Sequence, residues 1–291
     1  MRLIAATAFA LAAAFYCGVP GTAFAQDDTS EPGSAAFYNG DYTGAMDVWR
    51  PKADGGDPEA MTFVGNLYNL GLGVKRDYKQ AAAWYEKAAQ LGFVLAQFDL
   101  ANLYYDGQGV ARDRKQAARW YLAAAKGGSP KAQLYLAQMY ENGEGVEESQ
   151  DQALQWYKKA ADQELPEAQY ELGKKLVYGD GIAQDGTTGS DMLLQAAEQG
   201  YPKAQILIAD CYWRGRGVPK NLIEAYVWAS QAVDNPKNRK GKDAERAKDL
   251  LDNVKSGMTG DQLKAAQIEL QAVAPKPKDK KAPAGGTGTA P

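Results

Sequence analysis

The chain has 291 residues, of which 45% are hydrophobic and 24% charged, with a formal net charge of -3. That length allows one large domain or two, and a charge so close to neutral supplies no global basic field for nucleic acid. The sequence contains no His, which removes His general bases, Ser-His-Asp triads and His-ligated zinc.

The first 25 residues read as a secretory signal peptide. Arg2 gives the positive start, residues 3–16 form an apolar run, and Ala23-Phe24-Ala25 is a small-x-small cleavage site. Cleavage is expected after Ala25, with a periplasmic or secreted product beginning at Gln26. The apolar run is too short to span a bilayer comfortably, and no charged stop follows it. Cys17 does not make a lipoprotein site, because the bulky Tyr16 precedes it. Once the leader is gone, Cys211 is the only cysteine, so the mature chain has no internal disulfide and must rely on its core. No later segment is apolar enough to cross a membrane.

From residue 58 the sequence repeats itself. Ala60, Ala96, Ala132, Ala168 and Ala204 are spaced 36 residues apart. Eleven residues after each stands Gly71, Gly107, Gly143, Gly179 or Gly215. Two further on comes a second glycine: Gly73, Gly109, Gly145, Gly181 or Gly217. Then follow Val74, Val110, Val146, Ile182 and Val218, and later the aromatic column Trp84, Trp120, Trp156 and Trp228, interrupted by Met192.

Each unit reads as two helices. The first opens near the aligned Ala, behind N-caps such as Asp57-Pro58 and Ser129-Pro130. The first glycine of Gly-x-Gly ends it in a left-handed cap. The second helix opens on a capping box: Asp77 with Gln80, Asp113 with Gln116, Ser149 with Gln152, Asn221 with Glu224. The position five residues after the aligned Ala is always small (Gly65, Ala101, Ala137, Gly173, Ala209), which suits close helix approach.

The resulting pattern, Ala-Gln-x-x-Leu-Gly/Ala-x-x-Tyr-x-x-Gly-x-Gly-Val through Ala-x-x-Trp-Tyr-x-x-Ala-Ala, resembles the Sel-1-like repeat, a relative of the tetratricopeptide repeat. The resemblance covers residues 58–233 and marks the chain as similar to exported bacterial proteins of that type. It implies an all-α fold, a right-handed α-α superhelical solenoid of helix-turn-helix repeats. Residues 26–57 read as a linker and a degenerate capping repeat, in which Pro51 should kink or end the second helix. The fourth unit departs from the pattern, with Leu176, Gly189, Met192 and Leu193 at otherwise conserved-looking positions; its second helix should start late, near Ser190, and pack loosely. Residues 234–274 read as two capping helices, the second opening on a Thr259-x-x-Gln262 capping box. Residues 275–291 read as a disordered Pro/Ala/Lys tail.

No catalytic constellation, cofactor motif or metal-ligand spacing emerges. The Gly-x-Gly motifs follow helices and are repeat turns. The acidic run Glu141, Glu144, Glu147, Glu148 lacks calcium-loop spacing. The expected function is therefore non-enzymatic: a scaffold, adaptor or regulator that holds a peptide or protein in its concave groove, with cell-wall glycan as the alternative ligand. By analogy with tetratricopeptide geometry, the inward positions lie two, six and nine residues after the aligned Ala. The expected contact residues are Asn66, Phe98, Asn102, Tyr105, Gln138, Glu141, Tyr170, Lys174, Asp210 and Trp213. The competing expectation for Phe98, Leu134 and Ile206 is burial between units.

Overall fold

A computed structural model describes residues 31–273. The expected leader with its cleavage site, and the expected tail, lie outside the described residues. Within them the chain forms fourteen α-helices and no strand. Two lead: α1 (Pro32–Tyr38) and α2 (Tyr42–Asp54). Ten follow as five pairs: α3 (Pro58–Leu70) with α4 (Tyr78–Gln90), α5 (Val94–Asp106) with α6 (Arg114–Lys126), α7 (Pro130–Asn142) with α8 (Gln150–Asp162), α9 (Pro166–Tyr178) with α10 (Gly186–Glu198), and α11 (Pro202–Arg214) with α12 (Leu222–Asp234). Each of these ten is 13 residues long. A short 3-10 turn, Pro236–Asn238, leads to α13 (Lys242–Ser256) and α14 (Gly260–Val273), which pack on α11 and α12. From α1 to α13 each helix lies against its sequence neighbours, so the pairs stack as an α-α solenoid, and α14 folds back onto α12.

The seven-residue turn inside each unit explains the two glycines. Gly71, Gly107, Gly143, Gly179 and Gly215 adopt left-handed backbone with φ of 65–75° and return their N–H to the helix just ended. The second glycine is also left-handed, and it has a further reason to lack a side chain. A Cβ on Gly109 would lie 2.2 Å from the Tyr78 carbonyl oxygen, and one on Gly145 would lie 2.2 Å from that of Arg114. Gly73 and Gly217 make the same backbone contact, so these units rest their turns directly on the N-terminus of the preceding unit's second helix, while Gly181 meets the Gln150 side chain at 3.3 Å.

The second helices do start on Asp77, Asp113, Ser149 and Asn221, whose side chains accept backbone N–H groups of the first turn. The reciprocal half of the expected capping box is missing in these four. The cap's own N–H donates instead to a carbonyl of the preceding helix: Asp77 to Tyr68 (2.9 Å), Asp113 to Tyr104 (3.0 Å), Ser149 to Tyr140 (2.9 Å), Asn221 to Tyr212 (2.9 Å). A tight turn brings that carbonyl within reach, and it displaces the Gln or Glu side chain. Among the described residues, Thr259 and Gln262 form the full reciprocal box.

Three expectations are corrected. Helix α10 does not start late: Asp185 caps it through the Thr188 N–H, and it begins at Gly186 in register with the other units. Nor is that unit loose. A Cβ on Gly189 would stand 2.7 Å from the Gly173 carbonyl oxygen and 2.8 Å from the Val177 nitrogen, so α9 and α10 touch backbone to backbone. Two glycines substitute proximity for the missing aromatic. Pro51 does not end α2, which continues to Asp54. Its missing N–H falls three residues before the end of that helix, where little helix remains to be lost.

Neutral amides join the units. Gln97, Gln133 and Gln205, one residue after the aligned Ala, are buried and donate to the Ala89, Ala125 and Ala197 carbonyls at 3.1–3.2 Å, capping the end of the preceding helix. Their oxygens accept in turn: Gln133 from Gln163 (2.7 Å) and Gln205 from Asn235 (2.9 Å).

Two substitutions test this account. Gly109→Ala combines left-handed strain with a backbone clash and should cost ~3 kcal/mol by urea unfolding. Glu164 is the one non-glycine with positive φ (60°) among the described residues, in a turn where Gly92, Gly128 and Gly200 serve the other units. Glu164→Gly should stabilise by ~1 kcal/mol, and a loss of stability would refute strain at that turn.

Candidate partner-binding groove

The first helices α5, α7 and α9 form a face with two recesses. The larger, about 580 Å³, is lined by Asn69, Tyr85, Phe98, Asp99, Asn102, Leu103, Asp106, Gln108, Lys131, Leu134, Tyr135 and Glu167. The smaller, about 340 Å³, is lined by Tyr105, Tyr135, Gln138, Met139, Glu141, Asn142, Glu144, Tyr157, Glu171 and Lys174. Tyr135 borders both and is 38% exposed. Its ring stacks on Tyr121, with centroids 5.4 Å apart and planes 10° from parallel.

Of the three expected inward positions, the one two residues after the aligned Ala is buried in most of the units. Phe98 is 2% exposed and belongs to the core with Tyr121, and Leu134 and Ile206 are buried too. A helix turns about 100° per residue, so the next position faces the groove instead: Asp99, Tyr135 and Glu171. Of the ten expected residues, Phe98 and Asn102 line the larger recess, Phe98 only as its floor. Tyr105, Gln138, Glu141 and Lys174 come together in the smaller one. Asn66, Tyr170, Asp210 and Trp213 line neither.

Much of the polar chemistry here is already engaged. The buried tyrosines of the second helices pass beneath the first helices and bring their hydroxyls out at the groove. Tyr85 donates to Asn66 Oδ1 (2.6 Å), Tyr121 to Asn102 Oδ1 (2.5 Å), and Tyr157 to Glu141 Oε2 (2.6 Å). Space for the first of these is made by Gly65, where a Cβ would lie 2.6 Å from Tyr85 Cε1. Burial, the larger cause, and the Glu141 carboxylate both raise the Tyr157 hydroxyl well above its ordinary pKa. Tyr105 donates to Glu144 Oε2 (2.8 Å), while Arg114 pairs with Glu144 and lies 3.5 Å over the Tyr105 ring. Lys174 pairs with Glu171 (2.8 Å), and Asp210 with Arg214 (2.7 Å), which also covers Trp213. Tyr170 meets Tyr201 edge to face at 5.4 Å.

Lys175 escaped the sequence reading. It is buried, with its side chain 3% exposed, and its ammonium pairs with Glu141. Burial would raise the Glu141 carboxyl, but the Lys175 ammonium and the Tyr157 hydroxyl outweigh it and hold the group below its usual range. The signal was present: Lys175 stands where the other units carry Leu67, Leu103, Met139 and Cys211.

Asp99 is the opposite case. It is half-buried, and burial pushes its carboxyl up to about 7. Among the described residues no cluster of His, Cys, Asp and Glu is placed to hold a metal ion. No helix there is long and apolar enough to cross a membrane. Cys211 is fully buried, and that burial pushes its thiol up to about 11.

Comparison with known proteins places this geometry. The Sel1 repeat family matches five consecutive stretches, residues 58–93, 94–129, 130–165, 166–201 and 202–236. The chain belongs to the Sel1 repeat family. Among solved structures, it is similar to a Sel1 repeat protein from Oxalobacter formigenes, with 28% identity and a TM-score of 0.67, over 78% of this chain and 98% of that one. It is also similar to a protective antigen of uropathogenic Escherichia coli with an SLR fold, 26% identical over 85% of this chain and 68% of that one, with a TM-score of 0.35. An immunity protein from Pseudomonas aeruginosa is 19% identical over 78% of this chain and 83% of that one, with a TM-score of 0.41. No curated protein matches. Sel1 repeat proteins are commonly scaffolds for protein–protein interaction and generally non-enzymatic.

Two measurements probe the Sel1 array. Asp99 titrates near 7 in the folded chain and near 4 when unfolded, so its ionisation penalty accumulates from about pH 4 and is complete above about pH 7. Asp99→Asn should therefore stabilise by ~1–3 kcal/mol near pH 8 and by almost nothing near pH 3.5. Cys211 should resist a water-soluble thiol reagent near pH 8 in the native protein and react promptly in denaturant. Rapid native labelling would contradict its burial.

Proposed function

We propose that this protein is a non-enzymatic adaptor or regulator of the bacterial envelope that holds an extended segment of a protein partner along the α5–α7–α9 groove. The observation that carries the reading is the pair of adjoining recesses meeting at the exposed Tyr135 ring. An aromatic anchor flanked by amides suits a peptide: the ring supplies apolar area, and Gln138 and Asn102 offer donors and acceptors to a peptide backbone. The amide groups project from helices locked by packing, so little ordering cost falls on the protein. The expected signal peptide supports an address outside the cytoplasm, and the Sel1 family supports a scaffold role.

A photo-crosslinking residue at Tyr135 in the native envelope should yield a discrete protein adduct, while one at Lys158, exposed on α8, should not. Tyr135→Ala combined with Gln138→Ala should lower recovery of that adduct partner in pull-down roughly tenfold, with thermal stability little changed. Equal adducts from both positions would sink the groove reading. Co-sedimentation of the protein with purified cell wall, lost in the same double variant, would move the ligand to glycan.

A further inference from the structure

The turns inside the units stand in a row along one edge of the solenoid. Gly73 abuts Tyr42 at the start of α2, Gly109 abuts Tyr78, Gly145 abuts Arg114, Gly181 meets Gln150 and Gly217 abuts Gly186, so each turn lies beside the one before it. The turn between α1 and α2 joins the row as its first member. The charged side chains of this edge are sorted by turn. Residues 35–43 carry Asp41 and no cation. Residues 71–79 carry Lys75, Arg76 and Lys79 against Asp77, and residues 107–115 carry Arg112, Arg114 and Lys115 against Asp113. The sign then reverses. Residues 143–151 hold Glu144, Glu147, Glu148 and Asp151 with no cation, and residues 179–187 hold Asp180 and Asp185 with none. Residues 215–223 return to basic with Arg216 and Lys220. Along the edge the order is acidic, basic, basic, acidic, acidic, basic.

Within one chain little of this charge is neutralised. Arg114 pairs with Glu144 at the boundary between the blocks, and Asp180 stands 3.7 Å from the Lys175 ammonium. Among the described residues Lys75, Lys79, Arg112 and Lys115 form no ion pair, nor do Glu147, Glu148 and Asp151, and all seven are exposed. Read backwards, the order of signs becomes its own opposite at every place. A two-fold rotation performs that reversal. A second copy laid antiparallel on this edge, with the axis between the turns of the second and third units, sets Arg112 and Lys115 of each copy against Glu147 and Glu148 of the other. The turn at 71–79 then faces that at 179–187, and Asp41 faces Arg216 and Lys220. A parallel copy in register would set like against like. A lipid surface or polyanion would meet the acidic block and a polycation the basic ones, whereas an antiparallel copy meets neither conflict. We propose that the turn edge is a self-association surface, on which two copies of this chain pair antiparallel about a two-fold axis. Matching of exposed charges sets orientation and encounter rate more than affinity, so the dimer is sensitive to salt. It is separate from the groove anchor Tyr135, which lies midway along α7 and away from the turns.

Sedimentation velocity of the protein across a salt series tests this. A dimer should form at low salt, and its dissociation constant should rise at least ~10-fold on going from ~20 mM to ~500 mM salt. Arg112→Glu combined with Lys115→Glu, and separately Glu147→Lys combined with Glu148→Lys, should each weaken self-association at least ~10-fold, because like charges then face each other across the axis. Mixing the two double variants restores opposite charges at one boundary, so the mixture should associate at least ~10-fold more tightly than either variant alone. All four sites are exposed, and an unchanged melting temperature for each variant excludes unfolding as the cause of lost association. A protein that stays monomeric at every salt concentration would overturn the proposal. So would a dimer indifferent to salt or to either reversal, or a mixture no tighter than its components. Growth into higher oligomers would also overturn it, since a two-fold contact leaves no free edge for a third copy. A monomer that instead sediments with phosphatidylglycerol vesicles through Arg112 and Lys115 would give the basic turns to a lipid surface and end the dimer reading.

Discussion

The structure depends on one backbone contact made repeatedly. In four of the five turns the second glycine (Gly73, Gly109, Gly145, Gly217) lies against the backbone of the first residue of the preceding unit's second helix, closely enough that no side chain fits between them, while Gly181 meets only the Gln150 side chain. Where it is made, that contact sets where one unit begins relative to the last. Around it the energetics are ordinary. Apolar burial supplies the driving force, alanines permit close helix approach, and the Gln133–Gln163 type of amide pair satisfies polar groups that stacking would otherwise strand. Because these junction bonds join neutral groups, salt should weaken them little, in contrast to surface ion pairs.

The groove inherits its chemistry from the core beneath it. Tyr85, Tyr121 and Tyr157 are core residues whose hydroxyls emerge among groove side chains. A polar face laid over such tyrosines is pre-organised, since Asn102 and Glu141 are held by hydrogen bonds from below. The same core imposes a cost at Asp99, a carboxylate held where water reaches it poorly and no cation answers it. Natural sequences tolerate such local conflict where binding compensates for it.

The repeat and its helix pairs were legible in the sequence because periodic glycines, alanines and caps report local geometry directly. Less legible was anything that depends on rotation about a helix axis. Phe98 and Asp99 are neighbours in sequence, yet one is core and the other lines the groove. The tetratricopeptide analogy named Phe98 as an inward residue and passed over Asp99 beside it. The fourth unit misled for a related reason. Gly189 and Gly173 each look like a weakness when read alone, and their pairing across two helices, which turns two weak formers into a close contact, is visible only in three dimensions. Lys175 was legible in principle, as the charged member of an otherwise uncharged column.

The short turn between units has a consequence for how such a chain can grow. Gly92, Gly128 and Gly200 sit in open space, with no neighbouring atom near an added Cβ, whereas the turn inside each unit is pressed against the unit before it. The array therefore has a seam at regular intervals where chain can be cut and rejoined, and a lock midway between seams where it cannot. Gain or loss of material in whole 36-residue blocks leaves every lock intact, while any other length breaks one. The groove can lengthen by a unit at a time without its existing floor being rebuilt, so reach along a partner and stability of the core are free to evolve separately.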